Sequence, residues 1–337
     1  MEEDLILVKA QLVSSGAVRL PKDYRPPYRY SRSTAGPGAG DRELVFSFGS
    51  MHVKKRVSVS EGDFEFDPRT NTILKKGKLL VKGVSILPAD LHCPEQAFFN
   101  LDRRCRYNCL FCPSPLMKDD AMLTLDAETI IRNVRGSKNP IHSTSLTSGI
   151  HDSISETADR IAECISEIRR EFPEMPIGVE PYLNDPSQID KLHEAGATEI
   201  KINVETATEK LFRKFCPQLD YDNVFDMLAH CVEVFGKGKV SSNIIIGLGE
   251  TDDDVVSMME KLCSMGVTPT VRGLRIGSIV KDKLAENGIT EQPPYWRLVN
   301  IAKVQKNMMK KYDLDPRTFD TMCLKCTCCD LVPFIDL

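Results

Sequence analysis

The stretch Leu101-Asp-Arg-Arg-Cys105-Arg-Tyr-Asn-Cys109-Leu-Phe-Cys112 carries three cysteines in a C-x3-C-x2-C spacing, directly after the apolar run that starts at Ala97. Structural zinc sites almost always use four protein ligands, whereas this loop offers three thiols and no histidine. An iron–sulfur cube has four iron corners, so three cysteines bind it and leave one iron open to another ligand. The spacing therefore favours a catalytic iron–sulfur cluster over a structural zinc knuckle.

Short apolar runs alternate with helical patterns from this point onward. The runs span residues 97–101, 142–146, 177–181, 199–204, 240–246 and 268–274. Glycines stand where the intervening helices should end, at Gly136, Gly196, Gly236 and Gly266. Such alternation is typical of βα units around a parallel sheet. Six units predict an α/β fold with a partial (β/α)6 barrel of the TIM type, short of the usual eight units, and ligands at the C-terminal ends of the strands.

The segments on either side of the predicted barrel have a different character. Residues 21–42 are rich in Gly, Pro and Arg without apolar periodicity, which predicts a loop or arm. The runs 44–48 and 72–81, the second with a turn at Lys76-Gly77, predict strands. The predicted units are an N-terminal β-rich extension (1–92), the barrel (93–312) and a C-terminal cysteine-rich tail (313–337).

The composition excludes several classes of protein. The chain has 337 residues, 42% of them hydrophobic, which is enough for a sizeable core. Its 44 Lys+Arg and 48 Asp+Glu are spread along the sequence, so we expect neither nucleic acid nor an anionic membrane as the main partner. The sequence has no secretory signal pattern and no run of the roughly 18 apolar residues that a membrane helix needs. It predicts a cytoplasmic protein whose 12 cysteines are reduced and largely bound to metal.

A second cysteine group lies in the tail, where four thiols fall within seven residues: Cys323, Cys326, Cys328 and Cys329. An auxiliary iron–sulfur cluster is the leading interpretation, with structural zinc or a redox or sulfur-carrying thiol set as alternatives. Adjacent side chains point to opposite sides of an extended backbone, so one alternative is that three of the four are ligands and another group completes the site. Cys93, close to the first loop, is a candidate contributor. Cys216 is isolated as well, and the remaining isolated cysteines are predicted to be buried hydrophobes: Cys164, Cys231 and Cys263.

The first loop resembles the signature of the radical S-adenosylmethionine (SAM) superfamily, which has this spacing after the first barrel strand and an aromatic residue before the third cysteine, here Phe111. The resemblance implies a [4Fe–4S] cluster bound by Cys105, Cys109 and Cys112, with SAM on the unique iron. One electron would then split SAM into methionine and a 5′-deoxyadenosyl radical. That radical takes hydrogen from an unactivated carbon.

Other segments resemble SAM-binding elements of that superfamily. Ser148-Gly149 stands where a glycine-rich motif binds the amino group, although the usual acidic residue is missing. Glu205-Thr-Ala207 resembles the branch containing biotin synthase and the iron–iron hydrogenase maturase, which implies a ribose contact for Glu205 and a carboxylate contact for Arg213. Residues 244–252 resemble the adenine-binding segment, although glycines before an Asp-capped helix are also ordinary βα-turn chemistry. The predicted SAM contacts are Phe111, Ser148, Gly149, Asn203, Glu205, Arg213, Gly247 and Glu250.

The same segments, together with the tail cysteines, resemble the archaeal two-component lipoyl synthases over residues 97–337. In radical SAM enzymes that form carbon–sulfur bonds, an auxiliary cluster is sacrificed as the sulfur donor. The resemblance implies an octanoyl substrate on a lipoyl domain or H protein, a second radical SAM subunit, and an electron donor such as ferredoxin or flavodoxin. One alternative is a hydrogenase maturase-like radical SAM enzyme of metallocofactor biosynthesis without sulfur insertion. Another is a noncatalytic metal-binding scaffold that binds a partner enzyme.

Overall fold

The computed structural model describes residues 2–32, 40–116 and 124–337. None of the helices in these ranges combines the length and apolarity of a membrane span. The chain begins with helix α1 (Glu2–Ser14), which the sequence analysis did not predict. The first eight strands are β1 (Val18–Arg19), β2 (Ser31–Arg32), β3 (Arg42–Phe48), β4 (Met51–Ser58), β5 (Phe64–Asp67), β6 (Thr72–Lys75), β7 (Lys78–Lys82) and β8 (Ser85–Leu87).

These strands form one sheet in the order β2-β3-β4-β1-β5-β6-β7, with β8 paired to β3. The predicted turn at Lys76-Gly77 joins β6 to β7, and both residues have positive φ (49° and 73°), as a tight hairpin turn requires. The N-terminal extension is therefore β-rich, as predicted. Of the predicted loop at 21–42, residues 33–39 lie outside the described residues, and β2 occupies part of the remainder.

The second sheet is the predicted partial barrel. Its strands are β9 (His92–Cys93), β10 (Gln96–Asn100), β11 (Ser143–Thr147), β12 (Ile177–Glu180), β13 (Glu199–Lys201), β14 (Val240–Ile246) and β15 (Thr268–Gly273). They pair in sequence order from β9 to β15. β10 to β15 are parallel, whereas β9 forms an antiparallel hairpin with β10. Each of the six predicted apolar runs overlaps one of the parallel strands, so the (β/α)6 prediction is confirmed.

The remaining helices alternate with the strands of this sheet or follow its last strand. They are α2 (Ala127–Arg135), α3 (Ile154–Glu171), α4 (Pro186–Glu194), α5 (Glu209–Phe215), α6 (Tyr221–Phe235), α7 (Asp252–Ser264), α8 (Lys281–Glu286), α9 (Tyr295–Lys311) and α10 (Met322–Cys326). Short 3-10 turns lie at Ser114–Leu116 and Pro316–Thr318. Ser153 caps α3 by accepting from the Glu156 N–H. Ile161 and Ile165 of α3 are fully buried, each contributing about 2 kcal/mol through removal of apolar surface from water.

The C-terminal tail closes the barrel at the N-terminal edge of its strands. Glu199, the first residue of β13, is buried and accepts hydrogen bonds from the backbone N–H groups of Asp320 (2.8 Å) and Thr321 (2.9 Å). On β12, a side chain at Gly178 would place its Cβ 2.2 Å from Thr321 Oγ1. The tail thus packs directly onto the strand backbones, and the residues that follow Thr321 enter the barrel.

The N-terminal extension holds the other side of the tail. The buried ammonium of Lys9, on α1, donates to the Thr327 carbonyl (2.6 Å) and to the Asp336 carboxylate (2.7 Å). On β4, the Lys54 N–H donates to the Cys328 carbonyl (2.8 Å). The segment with the four tail cysteines is therefore clamped between the extension and the barrel.

Candidate active site

The first cysteine loop leaves the C-terminal end of β10 and is fastened to neighbouring loops by its backbone. The Arg106 N–H donates to the Ile150 carbonyl (2.7 Å), and the Leu110 N–H donates to the Phe215 carbonyl (2.8 Å). All three thiols of this loop are half-buried. The buried Cys216 thiol, from the loop after α5, is hydrogen-bonded to Cys109. The loop is thus held open toward the barrel with its sulfurs accessible.

A buried carboxylate organises the base of this loop. Asp102 accepts from Arg104 (2.7 Å) and from Arg160 (3.2 Å), and the other end of the Arg160 guanidinium donates to Ser148 Oγ (3.0 Å). Gly149 passes so close that an added Cβ would lie 2.3 Å from the Arg104 carbonyl oxygen. Glycine is required here because the cysteine loop and the loop after β11 are in backbone contact.

A cavity of about 290 Å³ lies inside the barrel and is shared by both cysteine groups. Cys105 and Cys112 line it from the loop at the C-terminal end of β10. Cys323, Cys326 and Cys329 line it from the tail, which enters at the opposite end of the strands. A molecule bound in this cavity would therefore lie between the two groups of thiols.

Polar side chains at the strand ends form one wall of the cavity. Asn203 donates to Glu180 (2.8 Å) and accepts from the backbone N–H of Asn243 (3.1 Å). Burial, reinforced by the nearby charge of Glu180, raises the pKa of Glu205 to about 7. Glu205 also has a left-handed backbone conformation (φ 59°), a strain that functional sites often retain. Ser145 Oγ and Asn243 Oδ1 are buried without a hydrogen-bond partner among the described residues, so the wall offers donors and acceptors to a polar ligand.

The structure brings five of the eight predicted SAM contacts to this cavity and leaves three away from it. The cavity-lining residues are Phe111, Ser148, Gly149, Asn203 and Glu205. Arg213 is exposed on α5 and pairs with Glu209 (2.6 Å). Glu250 accepts from the Gly247 N–H (2.7 Å) and pairs with Arg297 (2.9 Å), so both residues close the turn between β14 and α7. Gly247 and Glu250 therefore have the arrangement of an ordinary βα turn, away from the cavity.

Buried cations surround the tail thiols. Arg272, on β15, donates to Cys323 Sγ (3.1 Å) and to Asp330 (2.7 Å). Lys201, on β13, lies 3.5 Å from the same sulfur and 3.6 Å from Glu180. Lys201 and Arg272 each lie within an apolar strand run of the sequence. A charged residue at such a position could have identified them as candidate site residues. Both side chains therefore place positive charge next to the Cys323 sulfur.

Further charged residues lie near the tail cysteines, one from the N-terminal extension and one from the loop after β15. Lys54, fully buried on β4, pairs with Glu43 (3.3 Å) and lies 3.2 Å from His92 Nδ1. Arg275 donates to the Cys329 carbonyl (3.2 Å) and lies 3.8 Å from Glu43. Burial and the Lys54 charge lower the pKa of His92 to about 3, so its imidazole is neutral. These residues are far from the tail in sequence, and nothing in the sequence pattern placed them together.

The chemistry of the donors fits iron–sulfur clusters. Within the described ranges, no three His, Cys, Asp or Glu side chains are grouped closely enough for a single metal ion. A cube instead takes each thiolate at a separate iron corner, and six cavity-lining cysteines are available for this. Hydrogen bonds from the Cys328 and Cys93 thiols lower the pKa of Cys326 well below its usual range, which favours the thiolate that iron binds.

Comparison with known families identifies the class of this fold and site. A model described as the radical SAM superfamily matches residues 99–262, which run from β10 through most of α7 and include the first cysteine loop. Residues 99–262 are therefore a radical SAM domain, and this family implies a [4Fe–4S] cluster and SAM. Its curated relatives include enzymes named lipoyl synthase, at low sequence identity.

Three of these relatives show the extent of the similarity. The lipoyl synthase of Buchnera aphidicola subsp. Schizaphis graminum is 24% identical over 220 residues, covering 64% of this chain and 67% of that protein. The lipoyl synthase of Photobacterium profundum is 30% identical over 34% of this chain and 37% of its own length. For that of Leptospira biflexa, 29% identity covers 52% of this chain and 56% of the relative. The chain thus spans between about a third and two thirds of these relatives.

Two solved structures show partial similarity to this chain. The crystal structure of methylornithine synthase superposes with a TM-score of 0.45 and 20% identity, covering 53% of each chain. The FeFe-hydrogenase maturase HydG from Carboxydothermus hydrogenoformans gives a TM-score of 0.43 and 16% identity, covering 58% of this chain and 51% of the maturase.

Proposed function

We propose that this protein is a radical SAM enzyme that inserts sulfur at an unactivated carbon, and that it is one subunit of a two-component lipoyl synthase. The supporting observation is the single cavity lined by Cys105 and Cys112 at one end and by Cys323, Cys326 and Cys329 at the other. Sulfur insertion needs one carbon to be reached first by a hydrogen-abstracting group and then by a sulfur atom. A shared cavity meets that requirement without moving the substrate between sites.

The residues at the first site would bind the radical-generating cofactors. Cys105, Cys109 and Cys112 would ligate the cluster, while Ser148 and Gly149 form the adjoining wall. A cluster and SAM held here would supply hydrogen-atom abstraction from the substrate, and an auxiliary cluster held by the tail cysteines would supply the sulfur. Gly149 keeps the backbone N–H and carbonyl groups of the two loops close to the ligand.

The polar wall would orient SAM. Glu180 and Asn203 hold each other in place, and Glu205 lies beside them at the end of β13. With a pKa near 7, Glu205 exchanges a proton readily, so its side chain can accept from or donate to ribose hydroxyls. The left-handed backbone at Glu205 holds this carboxyl group at the cavity wall.

The remaining wall suits an alkyl chain. Phe98, Ile202, Ile245, Leu274 and Val280 line the cavity, and they come from four different strands or strand ends and from the loop before α8. An octanoyl chain would be recognised through burial of its methylene groups, at about 0.8 kcal/mol each. The same apolar residues exclude water, which protects a carbon radical from side reactions.

The proposed substrate is an octanoyl group on a lipoyl domain or H protein, and the proposed partners are a second radical SAM subunit and a ferredoxin or flavodoxin. These proposals rest on the lipoyl synthase relatives and on the resemblance described above. We also propose that the protein acts in the cytoplasm.

The test is sulfur transfer from labelled clusters. The protein, reconstituted anaerobically with ³⁴S-sulfide, would be incubated with SAM, reductant and an octanoyl-lysyl peptide, alone and with the second subunit. Mass spectrometry of the peptide should show ³⁴S, and a variant with the tail cysteines changed to Ala should form 5′-deoxyadenosine without labelled product. Formation of 5′-deoxyadenosine with no sulfur in any product would contradict the proposal and favour a maturase-like activity. No cleavage of SAM at all would favour a noncatalytic scaffold.

A further inference from the structure

Cys93 occupies a strained hairpin at the edge of the cavity. In the β9–β10 hairpin it lies opposite Gln96 and directs its thiol to the Gln96 carbonyl (3.7 Å). His92 and Glu95, on either side of Cys93, both have left-handed backbone conformations, with φ of 99° and 59°. Non-glycine residues adopt this conformation only where the surrounding structure imposes it. The strained backbone therefore flanks Cys93, which lines the cavity.

A cysteine of the tail lies next to Cys93. Cys326 lines the same cavity and is hydrogen-bonded to the Cys93 thiol, across 233 residues of sequence. Clamping of the tail by Lys9 and by the β4 backbone fixes this proximity from the side of the N-terminal extension. The cavity therefore has a thiol from β9 directly beside a thiol from the tail.

The four tail cysteines are not equivalent. Cys323, Cys326 and Cys329 line the cavity, which leaves a C-x2-C-x2-C spacing of the kind found in ferredoxins. Cys328 also contacts Cys326, but it is fully buried in a small apolar cluster with Val45 and Ala89 and does not line the cavity. Thr327 has a left-handed conformation (φ 56°) that ends α10. After this turn, Cys328 lies in the apolar cluster, whereas Cys326 and Cys329 line the cavity.

The charges around these sulfurs fit a four-thiolate cluster. Such a cluster is anionic, and an anion removed from water needs nearby positive charge. Arg272 and Lys201 contact Cys323, and Lys54 lies beside His92 next to Cys93. The cations thus stand on both the barrel side and the N-terminal side of the four cavity-lining thiols.

We propose that Cys93 is the fourth protein ligand of an iron–sulfur cluster whose other ligands are Cys323, Cys326 and Cys329, with Cys328 outside the ligand set. This inference rests on the proposed function for the existence of a second cluster, and deepens it by assigning its ligands. It also assigns a role to the N-terminal extension, which clamps the tail and presents β9. The barrel, the extension and the tail each contribute to this one site.

The assignment is tested on the second site alone. The full-length chain with Cys105, Cys109 and Cys112 changed to Ala serves as the parent, reconstituted with iron and sulfide. Into it we would introduce Cys93→Ala, Cys93→Ser, Cys328→Ala, and the matched buried-cysteine control Cys164→Ala. Iron and sulfide per chain, Mössbauer spectra and the thermal melting temperature of each protein before reconstitution would be measured.

We expect about four irons in the parent, in Cys328→Ala and in Cys164→Ala, and loss of the [4Fe–4S] spectrum in Cys93→Ala. Cys93→Ser preserves the size of the side chain and should melt like the parent while holding less iron, which separates a ligand role from a folding defect. Parent-like iron and spectra in both Cys93 variants, or their loss in Cys328→Ala, would overturn the assignment while leaving the second cluster intact. A parent without iron would remove the second cluster itself, and with it both the assignment and the sulfur-insertion proposal.

Discussion

The guanidinium of Arg272 lies 3.1 Å from the sulfur of Cys323, and this contact joins the last barrel strand to the C-terminal tail. The other partner of the guanidinium is Asp330, at 2.7 Å, which is itself buried. Arg272 is thus fixed by a carboxylate and directed at a sulfur. A planar group with several fixed N–H donors suits both contacts at once.

This arrangement predicts that Arg272 raises the reduction potential of the proposed tail cluster. A cation and an N–H···S hydrogen bond both stabilise the more negative, reduced form. Arg272→Gln should therefore shift the midpoint potential to a more negative value in EPR-monitored titrations of the chain lacking the first cysteine set. Arg272→Lys keeps the positive charge, so its midpoint potential should stay close to that of the chain with Arg272 intact. Equal potentials in the Gln variant and in the same chain with Arg272 intact would contradict this role.

Removal of the Glu199 carboxylate should release the tail. Glu199→Ala leaves the Asp320 and Thr321 N–H groups without their acceptor, at a cost of about 3 kcal/mol in the free energy of unfolding. Urea unfolding would measure this loss, and limited proteolysis should cut the tail faster. Glu260→Ala, on the exposed face of α7, provides the control and should cost under about 1 kcal/mol. Equal stability losses in the two variants would refute the anchoring role.

The ion pair between Lys9 and Asp336 predicts strong coupling between the two ends of the chain. Both side chains are buried, so Lys9→Met leaves a buried carboxylate unpaired and should cost about 3–5 kcal/mol. The double variant Lys9→Met/Asp336→Leu should recover much of that loss, because no uncompensated charge remains. Urea unfolding of the two single variants and the double variant gives the coupling energy. Additive effects would show that the pair does not couple.

The barrel was predictable from the sequence because strands buried on both faces leave short apolar runs, and because helix ends need particular residues. β14, for example, is buried at all seven positions and reads as one apolar stretch around two serines and an asparagine. Ser153 and Gly236 mark helix ends through capping requirements that act within a few residues. Local chemistry of this kind is visible without knowledge of the fold.

The charges of the candidate site were not predictable in the same way. Lys9 and Lys54 look like solvated cations in the sequence, and only the fold brings them to partners such as Asp336 and Glu43. Helix α1 was missed for a related reason, since a buried lysine interrupts its apolar pattern. Conversely, the segment with Gly247 and Glu250 has residues expected for a ligand contact, yet the structure uses them within the turn. The role of each of these residues therefore depends on the three-dimensional fold and not on the local sequence.

Gly149 predicts a steric test of the first cysteine loop. Its Cβ position lies 2.3 Å from a backbone oxygen of Arg104, and backbone cannot move aside as a flexible side chain does. Gly149→Ala should therefore displace the loop and lower the iron bound at the first site several-fold, measured in a chain lacking the tail cysteines. Gly277→Ala is the matched control, because Gly277 also lines the cavity and its Cβ would meet nothing within 4 Å. Normal iron binding in Gly149→Ala would contradict the close-approach argument.

The raised pKa of Glu205 predicts a specific pH dependence of stability. Burial and the charge of Glu180 raise this pKa from 4.5 to about 7, so in the folded apo-protein the carboxyl keeps its proton at a pH where the unfolded chain has lost it. Below pH 4.5 both states are protonated and Glu205 contributes no pH dependence. As pH rises from about 4.5 to about 7, the folded state holds more protons, so the free energy of unfolding falls, by roughly 1–3 kcal/mol in total.

Glu205→Gln removes this titration and should flatten the decline across that window, so that the variant is more stable than the wild type at pH 8 and differs less at pH 5. Glu180→Gln should have a smaller effect in the same direction, because it removes one of the two influences that raise the pKa. Urea unfolding of the apo-proteins at half-unit intervals from pH 4.5 to 8 would measure both. Glu209→Gln, an exposed carboxyl on α5, controls for the change in net charge. A Glu205→Gln curve parallel to the wild type would mean that the folded-state pKa is not raised, and Glu205 would then face the cavity as a permanent carboxylate.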